Sequence, residues 1–305
     1  MSAYITHADC LRHEMVPGHP ECPERISTIE SQLSEAGLLD RLHRYEAPKA
    51  EKKHLAPVHT ARHIEEMTNS APARGLVVID PDTAMNPHTL DAALRAAGAL
   101  VLATDLVISG HERAVFCNVR PPGHHAERDQ AMGFCFFNNV AVGVAHALDA
   151  RRLRRVAVVD FDVHHGNGTE DIFLDDERVM VCSSFQFPLY PYKARASVPG
   201  HLLNVRLPAG AGGREFRAAV AEAWFPEIEA FKPELFFFSA GFDAHREDPL
   251  AGLNLVEDDY AWITAAIRRY AHEYAGGRMV STLEGGYALP ALGRSAVAHV
   301  QALIA

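Results

Sequence analysis

Positive charge, cysteine and long apolar runs are all scarce in this sequence. Its 29 lysines and arginines face 39 aspartates and glutamates, a formal net charge of -10 at pH 7, which does not favour a nucleic-acid partner because such proteins carry a basic face. The five cysteines form no CxxC pair and are typical of reduced thiols in the cytosol. No apolar run approaches the roughly 20 residues that cross a bilayer, and the first residues lack a secretory pattern. We therefore expect a cytoplasmic protein with no membrane partner.

The remaining composition favours one large α/β domain spanning residues 1–305. Hydrophobic residues make up 48% of the chain, which suits a sizeable core. Five apolar runs predict buried strands: Ala114–Val119, Val156–Val159, Val179–Val181, Leu235–Phe238 and Met279–Leu283. Helical patterns separate most of them and close the chain: Asn138–Leu148, Arg214–Phe231, Asp258–Tyr274 and Leu292–Ile304. Alternating strands and helices predict a mostly parallel, doubly wound sheet.

Before the first of these strands, the patterns predict three helices and one strand. The helices are Glu24–Ala36, Thr60–Met67 and a buried one over Leu90–Val107, and the strand is Leu76–Ile79. Asn86 and Pro87 are the residue types expected at an N-cap and at the first helical position. Residues 46–58 are predicted to have irregular secondary structure. Two pairs, Cys10/His13 and His19/Cys22, allow either a small zinc site or an ordered loop that enters the first helix.

Alternating polar residues follow the run Val156–Val159. Asp160, Asp162 and His164 occupy every second position, so a strand would place all three side chains on one face. Carboxylates and an imidazole held together in this way repel and desolvate one another unless a cation joins them. A metal site is therefore the simplest interpretation, and the alternative is a solvated loop in which His164 is only hydrogen-bonded.

Unusual polar segments follow four of the predicted strands directly. They read RPPGHHA (120–126), DFDVHHGNGTE (160–170), SAGFDAH (239–245) and EGGY (284–287). Ligands of open α/β sheets bind at the carboxyl ends of strands. The four segments are therefore predicted to meet in one crevice.

Asp243 in the third segment can supply a third metal ligand beside Asp162 and His164, although it could instead cap a helix or close a turn. Two carboxylates and one imidazole, with one position open, are typical of a catalytic divalent site. Zn²⁺ suits this donor set, and Fe²⁺, Co²⁺ or Mn²⁺ could also bind.

Adjacent imidazoles follow the rigid Pro-Pro-Gly turn of the first segment. Either His124 or His125 could take a proton from water activated by the metal and pass it to a leaving amine; the alternative is two surface histidines. Asp160 is the candidate partner that fixes the tautomer of His124. The hydroxyl of Tyr287 could donate to a developing oxyanion, or Tyr287 could be a packed loop aromatic.

Five motifs occur in an order that resembles the zinc-dependent histone deacetylase family of the arginase/deacetylase superfamily. They are RPPGHHA, GFCFFNN, DxDxHHGNGTE, SAGFDAH and EGGY. With GHPECPERI near the start, the resemblance covers nearly the whole chain. The NGT and SAGFDA sequences are similar to those of class II enzymes and their bacterial relatives, including acetylpolyamine amidohydrolases. The resemblance implies the arginase/deacetylase fold, with a single eight-stranded parallel sheet and helices on both faces.

The resemblance also implies roles for individual residues. It makes Asp162, His164 and Asp243 the zinc ligands, His125 the general base and acid with His124 as its electrostatic companion, and Tyr287 the group that polarises the scissile carbonyl. It places a potassium ion beside the zinc, held by side-chain or backbone oxygens of Asp160, Asp162, His164, Ser183 and Ser184, since hard cations prefer oxygen. A second potassium near Phe173, Asp176 and Val179 is a further expectation.

For the substrate tunnel, the resemblance implies walls made by Gly133, Phe134 and Tyr190, which suit an apolar methylene stem. Arg25 resembles an arginine that lines an inner channel for the acid product.

The chain departs from the family pattern at several positions. Leu250 stands where polyamine-selective members can carry a glutamate. Bacterial polyamine enzymes also select substrates through a loop at a dimer interface, so a homo-oligomer is a further possibility for this chain. Asn167 replaces the aspartate of many class I members behind His125, which predicts a less basic imidazole. Residues 188–198 lack the glycine-rich sequence that is common at this position in the family, so the sequence does not define the rim of the pocket.

The expected function is removal of an acetyl or other short acyl group from an acyl-lysine side chain or a small acylated amine, including an acetylpolyamine. An arginase-like ureohydrolase would need two bridged metals and more carboxylates than the motifs supply. A catalytically inactive acyl-lysine-binding protein is the rival from another class.

Overall fold

One all-parallel sheet of eight strands runs through the computed structural model, which describes residues 1–305. The chain forms ten strands: β1 (Ser2–Thr6), β2 (His43–Glu46), β3 (Val77–Asp80), β4 (Thr83–Met85), β5 (Ala114–Cys117), β6 (Val156–Asp160), β7 (Val179–Gln186), β8 (Leu202–Leu207), β9 (Leu235–Ala240) and β10 (Met279–Leu283). The sheet order is β2-β1-β5-β10-β9-β6-β7-β8, and β3 and β4 form a separate antiparallel hairpin. The expected α/β class and eight-stranded parallel sheet are confirmed.

Helices cover both faces of this sheet. They are α1 (Glu24–Glu35), α2 (Lys52–Leu55), α3 (Ala61–Ser70), α4 (Thr89–Ile108), α5 (Asn139–Ala145), α6 (Asn167–Phe173), α7 (Gly213–Phe231), α8 (Glu257–Tyr274) and α9 (Leu289–Ile304). Successive strand residues point to opposite faces, so Val158 and Phe237 pack with α4 and α5 while Val159 and Phe238 pack with α1, α7, α8 and α9. Burial on both faces explains why these strands read as continuous apolar runs. None of the helices is both long and apolar enough to span a membrane.

The helix start predicted at Asn86-Pro87 is wrong. The side chain of Asn86 accepts hydrogen bonds from the backbone of His88 and the hydroxyl of Thr89, both at 3.0 Å. This turn delays α4, which begins at Thr89. In contrast, Thr60 caps α3 by accepting a hydrogen bond from the backbone N–H of His63 at 3.2 Å.

The alternative of a zinc site near the start is not supported. His13 is 2.8 Å from the hydroxyl of Thr89 and 3.4 Å from the carboxylate of Glu21, and His19 accepts a hydrogen bond from the backbone of Glu21. These two histidines and their neighbouring cysteines do not form a group that could hold a metal. The segment is the ordered loop that enters α1, and the stretch expected to be irregular after β2 contains the short helix α2.

The strand order gathers the four polar segments at one edge of the sheet. They follow β5, β10, β9 and β6, which are neighbours in that order. The register pairs Asp160 at the end of β6 with Ser239 on β9 and Ser183 on β7. The crevice predicted from the sequence therefore lies at the carboxyl ends of the central strands.

Candidate active site

Three buried side chains meet at this edge of the sheet and form a candidate metal site. One donor atom from each of Asp162, His164 and Asp243 lies within 4.8 Å of the other two. Nδ1 of His164 is 3.1 Å from Oδ1 of Asp162 and 3.0 Å from Oδ2 of Asp243. The backbone N–H groups of Gly285 and Val163 donate to Asp162 and Asp243 at 2.8 and 2.9 Å, which fixes both carboxylates. The triad predicted from the sequence is thus brought together.

The charges of this triad favour a bound cation. Burial and the neighbouring Asp162 raise the pKa of Asp243 to about 7. Burial acts to lower the pKa of His164, but hydrogen bonds to the two carboxylates outweigh it and raise the value to about 10. A protein that holds these groups without water must supply positive charge. One nitrogen and two carboxylates fit the protein ligands of a catalytic divalent metal.

Glycines let the backbone pack directly against these carboxylates. A Cβ at Gly241 would overlap the side chain of Asp162, and a Cβ at Gly285 would overlap that of Asp243 and lie 2.5 Å from Oδ2 of Asp162. Only glycine leaves this space free without moving a ligand. The glycine pair of EGGY therefore shapes the metal site as well as the approach to Tyr287.

The tandem imidazoles stack beside the triad but have different partners. Their ring centroids are 4.1 Å apart. Nδ1 of His124 is 3.0 Å from the carboxylate of Asp160, as the sequence predicted. Nδ1 of His125 is 2.7 Å from the side-chain oxygen of Asn167. A carboxylate thus stands behind one imidazole and an amide behind the other.

These partners drive the pKa values of the two imidazoles apart. Burial acts to lower the pKa of His124, but Asp162 and Asp160 raise it well above the ordinary value. Burial, His124 and His164 together lower the pKa of His125 well below the ordinary value. These directions favour a proton on His124 over one on His125, and a neutral imidazole is the one that can accept a proton.

Tyr287 follows β10 and lies at the same edge of the sheet. The guanidinium of Arg25 stacks 4.9 Å from its ring centroid, and the ring of Phe134 meets it edge to face at 6.0 Å. Its backbone N–H donates to Asp248 at 2.7 Å, while its hydroxyl makes no hydrogen bond within the protein and borders the cavity described next. The phenol is therefore held by its ring and backbone, with the hydroxyl left for a ligand.

A cavity of about 240 Å³ leads to these groups. Seven residues predicted for the tunnel or for catalysis border it: Gly133, Phe134, Tyr190, Leu250, His124, His125 and Tyr287. Asp160, the remaining one, contacts His124 instead. Gly133 and Phe134 both have positive φ, 56° and 68°, an uncommon conformation for phenylalanine that turns the wall toward His125. Such a narrow aromatic channel suits a slender apolar stem with a polar end.

Three acidic residues near this site were missed in the sequence. Asp82, in the turn between β3 and β4, borders the cavity. Glu284 accepts hydrogen bonds from the backbone N–H groups of Gly123 and His124 at 2.7 and 3.1 Å. Glu127 bonds the amide of Asn167 at 2.7 Å. Glu284 lies inside the EGGY segment and could have been found there, whereas Glu127 lies just beyond RPPGHHA and no local pattern indicates its contact with Asn167 or the position of Asp82.

The structure leaves the potassium site as a prediction. Strand pairing sets Ser183 opposite Asp160, and both Ser183 and Ser184 are buried within β7. At the second expected site, the backbone of Val179 donates to Asp176, and that of Asp176 donates to Phe173, so these residues form a compact turn.

Comparisons with known proteins agree with this geometry. The sequence pattern of the histone deacetylase domain matches residues 19–303. A histone deacetylase-like amidohydrolase of Pseudomonas aeruginosa is 38% identical over 277 residues, which cover 88% of this chain and 73% of that protein. A probable deacetylase of Archaeoglobus fulgidus is 34% identical over 297 residues, covering 95% and 82%.

A solved structure shows the same architecture. The HD domain of HDA15 superposes with a TM-score of 0.93 at 32% identity, covering 99% of this chain and 88% of that one. The resemblance carried by the motifs is thereby confirmed across the chain. From its sequence, its fold and the convergence of its motifs, this chain belongs to the histone deacetylase family of hydrolases.

Proposed function

We propose that this chain is a zinc-dependent amidohydrolase that removes an acetyl or other short acyl group from the amine nitrogen of an acyl-lysine side chain or small acylated amine. The observation that most strongly supports this proposal is the convergence of Asp162, His164 and Asp243 with His125 and Tyr287 around one narrow cavity. The printed names of the relatives, deacetylase and amidohydrolase, support the same reaction class.

In this proposal, Asp162, His164 and Asp243 hold the metal. When bound, Zn²⁺, or Fe²⁺ in the cell, would lower the pKa of a water molecule toward about 7 and polarise the amide carbonyl. His125, neutral and backed by Asn167, accepts a proton from the attacking water and later donates it to the leaving amine. The hydroxyl of Tyr287 donates to the oxygen on which negative charge develops.

His124 and Asp160 act as a charged pair behind this chemistry. Their separation of 3.0 Å keeps a proton on His124, so the positive charge opposes protonation of the adjacent His125. We also propose that Asp160, Asp162 and His164, with oxygens of Ser183 and Ser184, hold a potassium ion behind the metal site, because buried oxygens need a cation there. The potassium would stabilise the carboxylates without contacting substrate.

The cavity supports two kinds of amine. Phe134 and Tyr190 border it as an apolar channel for a methylene stem, as an acyl-lysine requires. Asp82 borders the same cavity and favours substrates with a second positive charge, which include acylated polyamines. Leu250 provides no charge at the position where polyamine-selective relatives can carry a glutamate. A panel of acetyl-lysine peptides, longer acyl-lysines and acetylpolyamines, compared by kcat/KM, decides between them.

Tyr287→Phe tests the reaction itself. This change keeps the ring between Arg25 and Phe134, so the fold and zinc content should not change. Turnover of an acetyl-lysine reporter should fall by roughly 10² to 10³-fold, as when other oxyanion donors are removed. Tyr274→Phe, at the end of α8 and far from the cavity, is the matched control and should keep full turnover.

The rival functions give different results in the same experiments. An unchanged rate in Tyr287→Phe would refute the role of the phenol. Two divalent ions per chain in the zinc-loaded protein would favour a ureohydrolase. Tight binding of an acetyl-lysine peptide without hydrolysis would favour an acyl-lysine-binding protein, whereas hydrolysis that a chelator abolishes and zinc restores supports the enzyme.

A further inference from the structure

We infer that Glu127 is a positioning residue for the general base and acts on His125 through the amide of Asn167. The inference rests on the proposed role of His125 and adds a residue to it. Asn167 is buried, with its oxygen 2.7 Å from Nδ1 of His125 and its nitrogen donating to Oε1 of Glu127 at 2.7 Å. Lys193 donates to the same carboxylate oxygen at 2.6 Å. A hydrogen-bonded chain thus runs from the rim segment to the imidazole.

The carboxylate is the nearest of three acceptors that set the orientation of the Asn167 amide: it lies 2.7 Å from the amide nitrogen, whereas the carbonyl oxygen of His125 and the sulfur of Met132 lie 3.4 Å away. An amide has nearly the same shape in either orientation, but one end accepts hydrogen bonds and the other donates them. The carboxylate oxygen of Glu127 accepts from both Asn167 and Lys193, so it favours the orientation in which the NH₂ group faces it. The amide oxygen is then left to face His125.

The orientation of Asn167 in turn sets the tautomer of His125. An oxygen facing Nδ1 requires that this nitrogen carry the proton, which leaves Nε2 with a free lone pair. A flipped amide would present its NH₂ group to Nδ1 and move the proton to Nε2. That tautomer cannot take a proton from water, so Glu127 keeps the base in its reactive form.

The setting of Glu127 is that of a supporting residue rather than of a surface ion pair. Its side chain is 15% exposed, whereas that of its partner Lys193 is 57% exposed. Both border a polar cavity of about 390 Å³ on the far side of Asn167 from His125. A simple surface pair of this kind contributes about 0–1 kcal/mol to stability and nothing to turnover. The two interpretations therefore differ in what they predict for kcat.

An exchange of the two side-chain types tests the inference. In Glu127→Gln the carboxylate no longer selects the amide orientation, and kcat should fall about tenfold with KM within twofold, because general-base catalysis contributes on the order of 10² to 10⁴. In Asn167→Asp two carboxylates face each other, and kcat should fall by more than tenfold. The double variant Glu127→Gln/Asn167→Asp restores a donor opposite an acceptor, and its kcat should exceed that of Asn167→Asp at least fivefold.

Rescue by a second damaging change separates positioning from general structural loss. Asp171→Asn, the same carboxylate-to-amide change in the same cavity, is the control and should keep kcat unchanged. A double variant no faster than Asn167→Asp, or a Glu127→Gln variant with normal kcat, at unchanged Tm and zinc content, would overturn the inference. His125→Ala, measured alongside, tests the proposed function separately: if it keeps its turnover, the role of His125 itself fails.

Discussion

Gly285→Ala should disable the metal site through a single added methyl group. Gly285 does not have positive φ, so alanine fits its backbone without strain. The added Cβ would overlap Oδ2 of Asp243 and lie 2.5 Å from Oδ2 of Asp162, whereas Cβ atoms essentially never approach another atom closer than 3.0 Å. The carboxylate of Asp162 must therefore retreat by about 0.5 Å, and that of Asp243 by more.

This displacement exceeds what a zinc site tolerates. Ligand distances hold within about 0.2 Å, so both carboxylates would leave their coordinating positions. Loss of an outer partner alone weakens metal binding by about 10 to 100-fold. With two ligands displaced, we expect zinc affinity to fall by at least about 100-fold, which corresponds to about 2.8 kcal/mol.

Competition for zinc against a chromophoric chelator measures this affinity directly. Gly252→Ala is the matched control, because its Cβ would meet nothing closer than 3.4 Å and its φ is ordinary. Circular dichroism of both variants without metal checks that the sheet has formed. If folded Gly285→Ala binds zinc within threefold of the unsubstituted protein, Asp162 and Asp243 are not the ligands.

Two further predictions concern substrate charge and stability. Burial and Asp80 raise the pKa of Asp82 to about 6, so its negative charge, and with it the preference for a doubly charged amine over a neutral one, should grow as pH rises through about 6. The ratio of kcat/KM for the two substrates cancels the shared chemistry, and this ratio should be independent of pH in Asp82→Asn; a persistent rise would exclude Asp82. Thr60→Ala should lower the free energy of unfolding by about 1 kcal/mol, because the helix α3 loses its N-cap. Urea denaturation measures this loss, and equal midpoints and slopes for the two proteins would contradict it.

The central strands and the site were readable from sequence for the same physical reason. Strands buried on both faces, such as β6 and β9, are apolar at nearly every position, and the polar residues at and after their carboxyl ends stand out clearly. The edge strand β2, with the sequence HRYE, has no such pattern because it is largely exposed. In β8, exposed Arg206 and half-buried Asn204 interrupt the apolar residues, so this strand was missed as well.

Residues placed only by tertiary structure could not be predicted. Asp82 reaches the cavity because the β3–β4 hairpin packs over it, and Phe134 donates its backbone N–H to Thr83 at 3.0 Å across that contact. Glu127 and Asn167 are 40 positions apart. Their hydrogen bond depends on α6 beginning beside the RPPGHHA segment, which neither sequence pattern indicates.

The position of β10 ties assembly of the active site to the joining of two parts of the sheet. This strand follows both β5 and β9 in the chain, yet it lies between them and joins a three-stranded part of the sheet to a four-stranded part. Until it inserts, the tandem histidines on one part have no fixed distance to the aspartates on the other, and the phenol that follows β10 has no place at all. Catalytic turnover, which needs groups from both parts, should therefore mark the moment when the two parts of the sheet close, whereas the three metal ligands all follow strands of the four-stranded part.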